Sequence, residues 1–184
     1  ILGNANILEA SKEFSIERFV YASSVYVYGK EGGFYRCSKK AAEDYVKEYF
    51  NSYNLNYTIL QYGSLYGPRA QAWNGLQNRV ETIVNKKKIM HHGTGMEERE
   101  YIHIKDAAKM SVKALSDQYK NQAITLTGSQ VINSKALIEM IFEISNIKPD
   151  FRLKDSNLGD GNHYIKTPYR YTPKQSKKIS PSEY

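Results

Sequence analysis

With one cysteine, one tryptophan and five prolines in 184 residues, the chain excludes several classes of protein by what it lacks. The single cysteine, Cys37, rules out a disulfide-stapled scaffold and a cysteine-rich zinc module. Ordinary glycine and sparse proline rule out collagen-like and low-complexity chains. No apolar run approaches the roughly 18 residues that span a bilayer. Nor does the chain open with a basic segment, an apolar core and a small-residue cleavage site. A cytoplasmic protein without membrane attachment is the resulting expectation. The rest is globular composition, with 41% hydrophobic and 24% charged residues, and 26 Lys+Arg against 19 Asp+Glu for a net charge of +7. One domain with a substantial core fits this length.

Residues 1–10 already read as an amphipathic helix, yet neither a methionine nor a capping residue precedes them. The expectation is a chain that starts in mid-element and belongs to something longer. Residues 18–24 form a β-branched and aromatic run bounded by small polar residues, the pattern of a buried strand. A helical pattern over residues 35–53 follows, with Ala41, Ala42, Tyr45, Val46, Tyr49 and Phe50 as its buried stripe. Residues 57–62 are a second strand, closed by Gly63 and the turn Tyr66-Gly67-Pro68. Strand, helix, strand at this spacing is a βαβ unit with parallel pairing. Beyond it the pattern predicts a helix over 75–85, a strand at 101–104, a helix over 107–115 capped by Asp106, a strand at 123–127 and a helix over 135–144 capped by Ser134. From Pro149 the chain is polar, tyrosine-rich and basic, and reads as loop and short elements.

Tyr35 and Lys39 stand four apart at the start of a helix and so share a face. An ammonium beside a phenol favours the phenolate, which makes such a tyrosine a usable acid or base. Ser24, at the carboxyl end of the preceding strand, can hydrogen-bond the same substrate oxygen. In open α/β sheets ligands collect at that end. With 16 tyrosines and many lysines the pair alone arises easily by chance. The ordered set carries more weight: Ser23-Ser24-Val25-Tyr26-Val27-Tyr28-Gly29, then Tyr35-Arg36-Cys37-Ser38-Lys39, then Tyr66-Gly67-Pro68-Arg69, then Arg99-Glu100-Tyr101-Ile102-His103-Ile104-Lys105-Asp106.

With these four motifs the sequence resembles the extended short-chain dehydrogenase/reductase family, in its NAD-dependent epimerase/dehydratase branch that works on nucleotide sugars, over residues 1–146. The resemblance implies an α/β fold: the C-terminal part of a Rossmann-type doubly wound parallel sheet plus a small mixed substrate-binding subdomain. Residues 1–68 would be a partial NAD-binding region, and 69–184 mainly substrate-binding, interleaved with the remaining Rossmann elements. It implies Tyr35 as catalytic acid/base, Lys39 on the nicotinamide ribose and Ser24 orienting the reacting oxygen. Tyr62 and Gly63 would lie against the cofactor. Ser64 would face the substrate and Arg99 would grip its diphosphate, which a guanidinium can do bidentately. The implied activity is epimerisation of a nucleoside-diphosphate sugar by transient oxidation with NAD. The alternatives are a carbonyl reductase of the same family, or a non-catalytic remnant that binds a nucleotide sugar or a partner. Homodimerisation through the helix from Tyr35 is a further implication.

Departures from the family pattern matter too. The Gly-rich turn that presents backbone N–H groups to the cofactor pyrophosphate is absent. Neither Gly93-Thr94-Gly95 nor Gly159-Asp160-Gly161 replaces it, and the chain as given should not hold NAD tightly. By the resemblance, about the first third of the enzyme precedes Ile1. Only residues 30–34 separate Gly29 from Tyr35, where the family has a longer loop. Gln61 and Ser64 stand where the family commonly has Arg and Asn. Val25 and Tyr26 stand where the dehydratases have Asp and Glu, which favours epimerase or simple oxidoreductase chemistry over dehydration.

Other candidates carry less. His91-His92 lacks metal-ligand spacing and reads as a loop pair, so no metal is expected. His103 reads as a structural imidazole and Cys37 as a buried thiol. The lysines at 86–88 and in the tail, interspersed with acids, read as a solvated surface rather than a nucleic-acid footprint.

Overall fold

The computed structural model describes residues 1–29, 32–154 and 176–179. Helix α1 (Leu2–Glu13) leads to strand β1 (Phe19–Ser24), the 3-10 turn Val25–Tyr28, helix α2 (Gly33–Tyr53) and strand β2 (Tyr57–Tyr62). One residue, Gly63, separates β2 from β3 (Ser64–Tyr66). There follow α3 (Gly75–Lys86), β4 (Ile89–His92), β5 (Glu98–His103), α4 (Ile104–Lys113), β6 (Gln122–Leu126), β7 (Val131–Asn133), α5 (Ser134–Ile144), β8 (Phe151–Lys154) and β9 (Ser176–Ile179). No helix among the described residues is long and apolar enough to cross a membrane.

Four strands form the main sheet in the order β1-β2-β6-β9, all parallel. The period of two along a strand decides its layers. Ile59 of β2 packs on one side with Leu8, Phe19, Val46 of α2 and Tyr57, while its neighbour Leu60 packs on the other with Ala107 and Met110 of α4, Ile124 and Leu126. Helices thus cover both faces, as a doubly wound sheet requires. Each of these fully buried aliphatic side chains contributes about 1.5–3 kcal/mol by leaving water. A second body joins β3, β5 and β7 in one small sheet and β4 with β8 in another. Ile83 of α3 packs there with Leu137, Ile138, Ile141 and Phe142 of α5.

The seam between α2 and the sheet holds a buried polar network. The Glu43 carboxylate is 2% exposed and accepts from the Ser23 hydroxyl of β1 and, at 3.0 and 3.2 Å, from the Gln61 amide of β2. The Gln61 carbonyl accepts from the Tyr28 hydroxyl at 2.6 Å. A carboxylate so placed is tolerated only because donors replace its water.

Several expectations change in detail. Tyr45 is exposed and Glu43 takes its place on the buried side of α2, while Ala41, Tyr49 and Phe50 are half-buried. Helix α4 starts at Ile104 and is capped by His103, whose Nδ1 accepts from the Lys105 N–H; Asp106 lies in its first turn instead. Helix α5 is capped by Asn133, not Ser134, through an oxygen that accepts from the Ala136 N–H at 2.8 Å. Cys37 is exposed, because helical spacing puts it on the side of α2 away from the buried Ala42, Glu43 and Val46. His91 and His92 are strand residues of β4, and His91 is buried. Gly159-Asp160-Gly161 and most of the basic tail lie outside the described residues.

Replacing Gln61 by Leu should destabilise the chain by about 1–3 kcal/mol, because the buried Glu43 carboxylate loses both bonds from the Gln61 amide and keeps the Ser23 hydroxyl. Urea unfolding of the variant beside a Glu43→Gln, Gln61→Leu double variant, which removes the buried charge, should show partial recovery.

Candidate active site

Parallel register sets the level of the site. Ser24 pairs with Tyr62 and Tyr62 with Leu126, so the carboxyl ends of β1, β2 and β6 finish at one edge. Lys39, on the second turn of α2, donates from Nζ to the Ala22 carbonyl at 2.7 Å, two residues before Ser24. Its ammonium stands 5.9 Å from the centre of the Tyr35 ring and 5.0 Å from that of Tyr21. Burial pushes the Lys39 ammonium below its ordinary range. Ser24 is buried and its Oγ accepts from the Tyr26 N–H at 3.3 Å, opening the 3-10 turn. The Tyr26 ring meets the Tyr35 ring edge-on at 6.1 Å. Tyr35 itself is half exposed, so its phenol faces the solvent side of the edge. Tyr35, Lys39 and the turn that begins at Ser24 are thus one cluster.

Tyr62, Gly63 and Ser64 continue from that cluster into the second body. The Tyr62 hydroxyl lies 2.7 Å from Ser111 Oγ of α4, and Ser111 donates onward to the Ala107 carbonyl. Gly63 donates its N–H to the Leu126 carbonyl at 2.9 Å, and a Cβ there would collide with the Thr127 side chain. Its lack of a side chain is therefore demanded by packing between strand ends. Ser64 pairs with Tyr101 of β5 and lines, with Arg99, a cavity of about 310 Å³ under the start of α3. Asn74 holds that helix end: its oxygen accepts from the Leu76 and Gln77 N–H groups and its amide donates to the Leu65 carbonyl. Arg79 of α3 lines the same cavity, a residue that the sequence motifs do not include. Its signal was its position, three residues from Leu76 and four from Ile83, on the apolar side of the helix.

The strand-to-strand turn at Gly93-Thr94-Gly95 is built around a second buried pair. His91 Nε2 lies 3.1 Å from Glu97 Oε2, and Glu97 also accepts from the Thr94 N–H and hydroxyl and the Gly95 N–H. Burial pushes His91 below its ordinary value, partly offset by the Glu97 hydrogen bond, with the Arg79 and His92 charges pushing it further down. Burial raises the Glu97 carboxyl, but hydrogen bonds from His91, Thr94 and the backbone outweigh it and hold it below the usual value. The pair is a neutral imidazole donating to a carboxylate. Among the described residues no group of His, Cys, Asp and Glu is arranged to hold a metal ion.

A family model described as the NAD dependent epimerase/dehydratase family matches residues 1–126. The chain belongs to this family. It is similar to a UDP-glucuronate 4-epimerase of Thermodesulfobacterium geofontis, 27% identical over 62% of this chain and 40% of the relative. It is also similar to a dTDP-D-glucose 4,6-dehydratase of Dictyostelium discoideum, 28% identical over 58% of this chain and 30% of the relative. Among solved structures, a UDP-glucose 4-epimerase of Thermotoga maritima with UDP-glucose superposes with a TM-score of 0.77 at 20% identity, covering 94% of this chain and 60% of that one. At that identity the likeness shows the fold, and the fold agrees with the doubly wound sheet found here. The chain spans about half the length, or less, of the curated relatives it matches.

The His91–Glu97 pair of this epimerase/dehydratase family member gives a pH dependence of known sign. As pH falls through about 6.5 and then about 4.5, the unfolded chain takes up each of the two protons before the folded chain does, because both groups are held below their ordinary values in the fold. The unfolded state then binds more protons, so stability falls with pH across that window. Urea midpoints at pH 7.5, 6 and 5 should drop steadily for the wild type and less for His91→Gln; an equal drop in both would remove the pair as the cause.

Proposed function

We propose that the chain is the proton-handling and substrate-gripping part of an NAD-dependent epimerase acting on a nucleoside-diphosphate sugar. One observation carries it: Lys39 and Tyr35 share a side of α2, the ammonium anchored on the Ala22 carbonyl at the carboxyl edge of a parallel sheet, beside the turn that Ser24 opens. Residues 1–68 would then be a partial cofactor-binding region and 69–184 mainly the substrate side. The donor set at the strand ends suits the nicotinamide end of NAD, offering an ammonium for a ribose diol beside an accessible phenol. Lys39, with Tyr62 and Gly63, would hold it. NAD, when bound, supplies the acceptor and later the donor of a hydride.

The chain's own residues handle the proton. Tyr35 as phenolate takes the proton of the sugar hydroxyl as that carbon is oxidised, and returns it when the carbonyl is reduced. The Lys39 ammonium, 5.9 Å from the centre of the Tyr35 ring, sets a positive charge beside the group that carries the proton. Ser24, whose oxygen accepts from Tyr26, keeps its own O–H to donate to the reacting oxygen. Arg99 and Ser64 hold the far end of the substrate. Val25 and Tyr26 stand where the dehydratases have two acids, which supports epimerisation over dehydration. A homodimer through α2 belongs to the same reading, since its solvent side carries Phe34, Tyr45 and Tyr53 exposed. Sedimentation should then give twice the chain's 21.1 kDa, and a monomer at micromolar concentration would remove this part.

Tyr35→Phe should be assayed in the protein from its whole reading frame, with NAD and a panel of UDP- and dTDP-sugars. Turnover should fall by about 10²- to 10⁴-fold with affinity for UDP nearly unchanged. Wild-type turnover in that variant refutes the role of Tyr35.

A further inference from the structure

The cavity beneath α3 holds two guanidinium groups. Arg99 enters from β5, where it and Tyr101 alternate onto one side of the strand. Arg79 enters from α3, in mid-helix, on the side that carries Leu76 and fully buried Ile83. A cation on the apolar side of a helix is unfavourable unless a partner compensates it. Among the described residues no carboxylate forms an ion pair with Arg79, and none lines the cavity. Its one hydrogen bond is long, 3.4 Å from Nη1 to the Tyr101 hydroxyl, which leaves most of its five donors unused. The bond aims the group without neutralising it. The charge also reaches inward, since it contributes to holding His91 neutral.

Two like charges lining one cavity repel each other, and an anion bound beside both reverses the sign. A monoanion or a neutral carbonyl compound needs only one of them. We propose that Arg79 is a second anion-gripping residue, which with Arg99 clamps the two phosphate groups of a nucleoside diphosphate and makes the site select the diphosphate over the monophosphate. This rests on the nucleotide-sugar reading of the same site and names the group that Arg79 recognises. Arg79 stands outside all four sequence motifs, so the clamp is a property of this chain's own α3.

The test is calorimetric titration of the 184-residue chain at low salt with UDP, UMP and uridine, which needs neither NAD nor turnover. The wild type should bind UDP more tightly than UMP. Arg79→Leu should weaken UDP by about 10- to 100-fold, the usual loss for a charged hydrogen bond, and erase the preference over UMP while leaving uridine unchanged. Arg79→Lys should recover part of the loss, because it keeps the charge without the fork. Should Arg79→Leu not fold, Arg79→Gln keeps a donor for Tyr101, removes the charge and serves the same comparison. Unchanged UDP affinity in a folded variant overturns the clamp. So does an equal loss for UDP, UMP and uridine, which marks a purely structural residue, or a wild type that does not bind UDP. Normal UDP binding with no turnover in the whole protein would instead sink the epimerase reading and leave the clamp standing.

Discussion

A single buried carboxylate, Glu43, governs where the rest of the site can sit. It lies four residues after Lys39 on α2 and, among the described residues, is satisfied by donors from two strands, Ser23 of β1 and Gln61 of β2. A helix may slide on an apolar sheet face with little penalty, because hydrophobic contact has no direction. A buried carboxylate removes that freedom, since any shift strands it without donors. Tyr35 and Lys39 are thereby pinned over the strand ends, and Ser24 is pinned with them as the neighbour of Ser23. Gln61 continues the chain of bonds to Tyr28, at the far end of the turn that Ser24 opens.

The two bodies of the molecule use different physics. Around the main sheet, position is fixed by hydrogen-bonded seams beneath an accessible phenol and ammonium, a setting for moving protons. Around α3 and β5, two guanidinium groups stand over a largely apolar core, a setting for holding negative charge. The nucleotide-sugar reading joins these halves into one site with a reacting end and an anchoring end. It also explains why a short polar cap such as Asn74 matters: it fixes the end of α3, and so the angle from which Arg79 enters.

Periodicity made much of the fold legible. Strands β1, β2 and β6 and helices α1, α2, α3 and α5 stand close to where alternation and helical spacing put them, because each buries a regular apolar pattern. The failures have a common cause in polar residues that do structural work. Glu43 reads as a surface charge within α2 until Gln61 and Ser23 are seen opposite it. The segment Ile89-Met90-His91-His92, between lysines and a glycine, is too short and too polar at its end to show alternation, yet β4 forms because β8 pairs with it and Glu97 satisfies His91. Asn133 and His103 cap their helices from the last residue of a strand, a place where a cap is hard to tell from a strand residue. Cys37 follows the opposite logic: its residue type favours burial, but it stands on the side of α2 away from Ala42, Glu43 and Val46, the residues that the helix buries. Of the candidate site, Tyr35, Lys39, Ser24 and Arg99 stand in the ordered motifs, and Ser64 comes from the family resemblance. Arg79 has neither signal, since a lone arginine in a helix carries no motif.

The bridge at Gly63 has a mechanical consequence. Only one residue joins the last position of β2 to the first of β3, and its neighbours are hydrogen-bonded into different sheets. Three residues of extended backbone span roughly 7 Å between first and last Cα, with almost no slack. Side-chain packing can be retuned by mutation, but this separation is set by the length of covalent bonds. The molecule therefore carries a fixed gauge between its Tyr35–Lys39 edge and its arginine-lined cavity. A ligand that spans both is measured by that gauge, end to end, before any individual contact is counted.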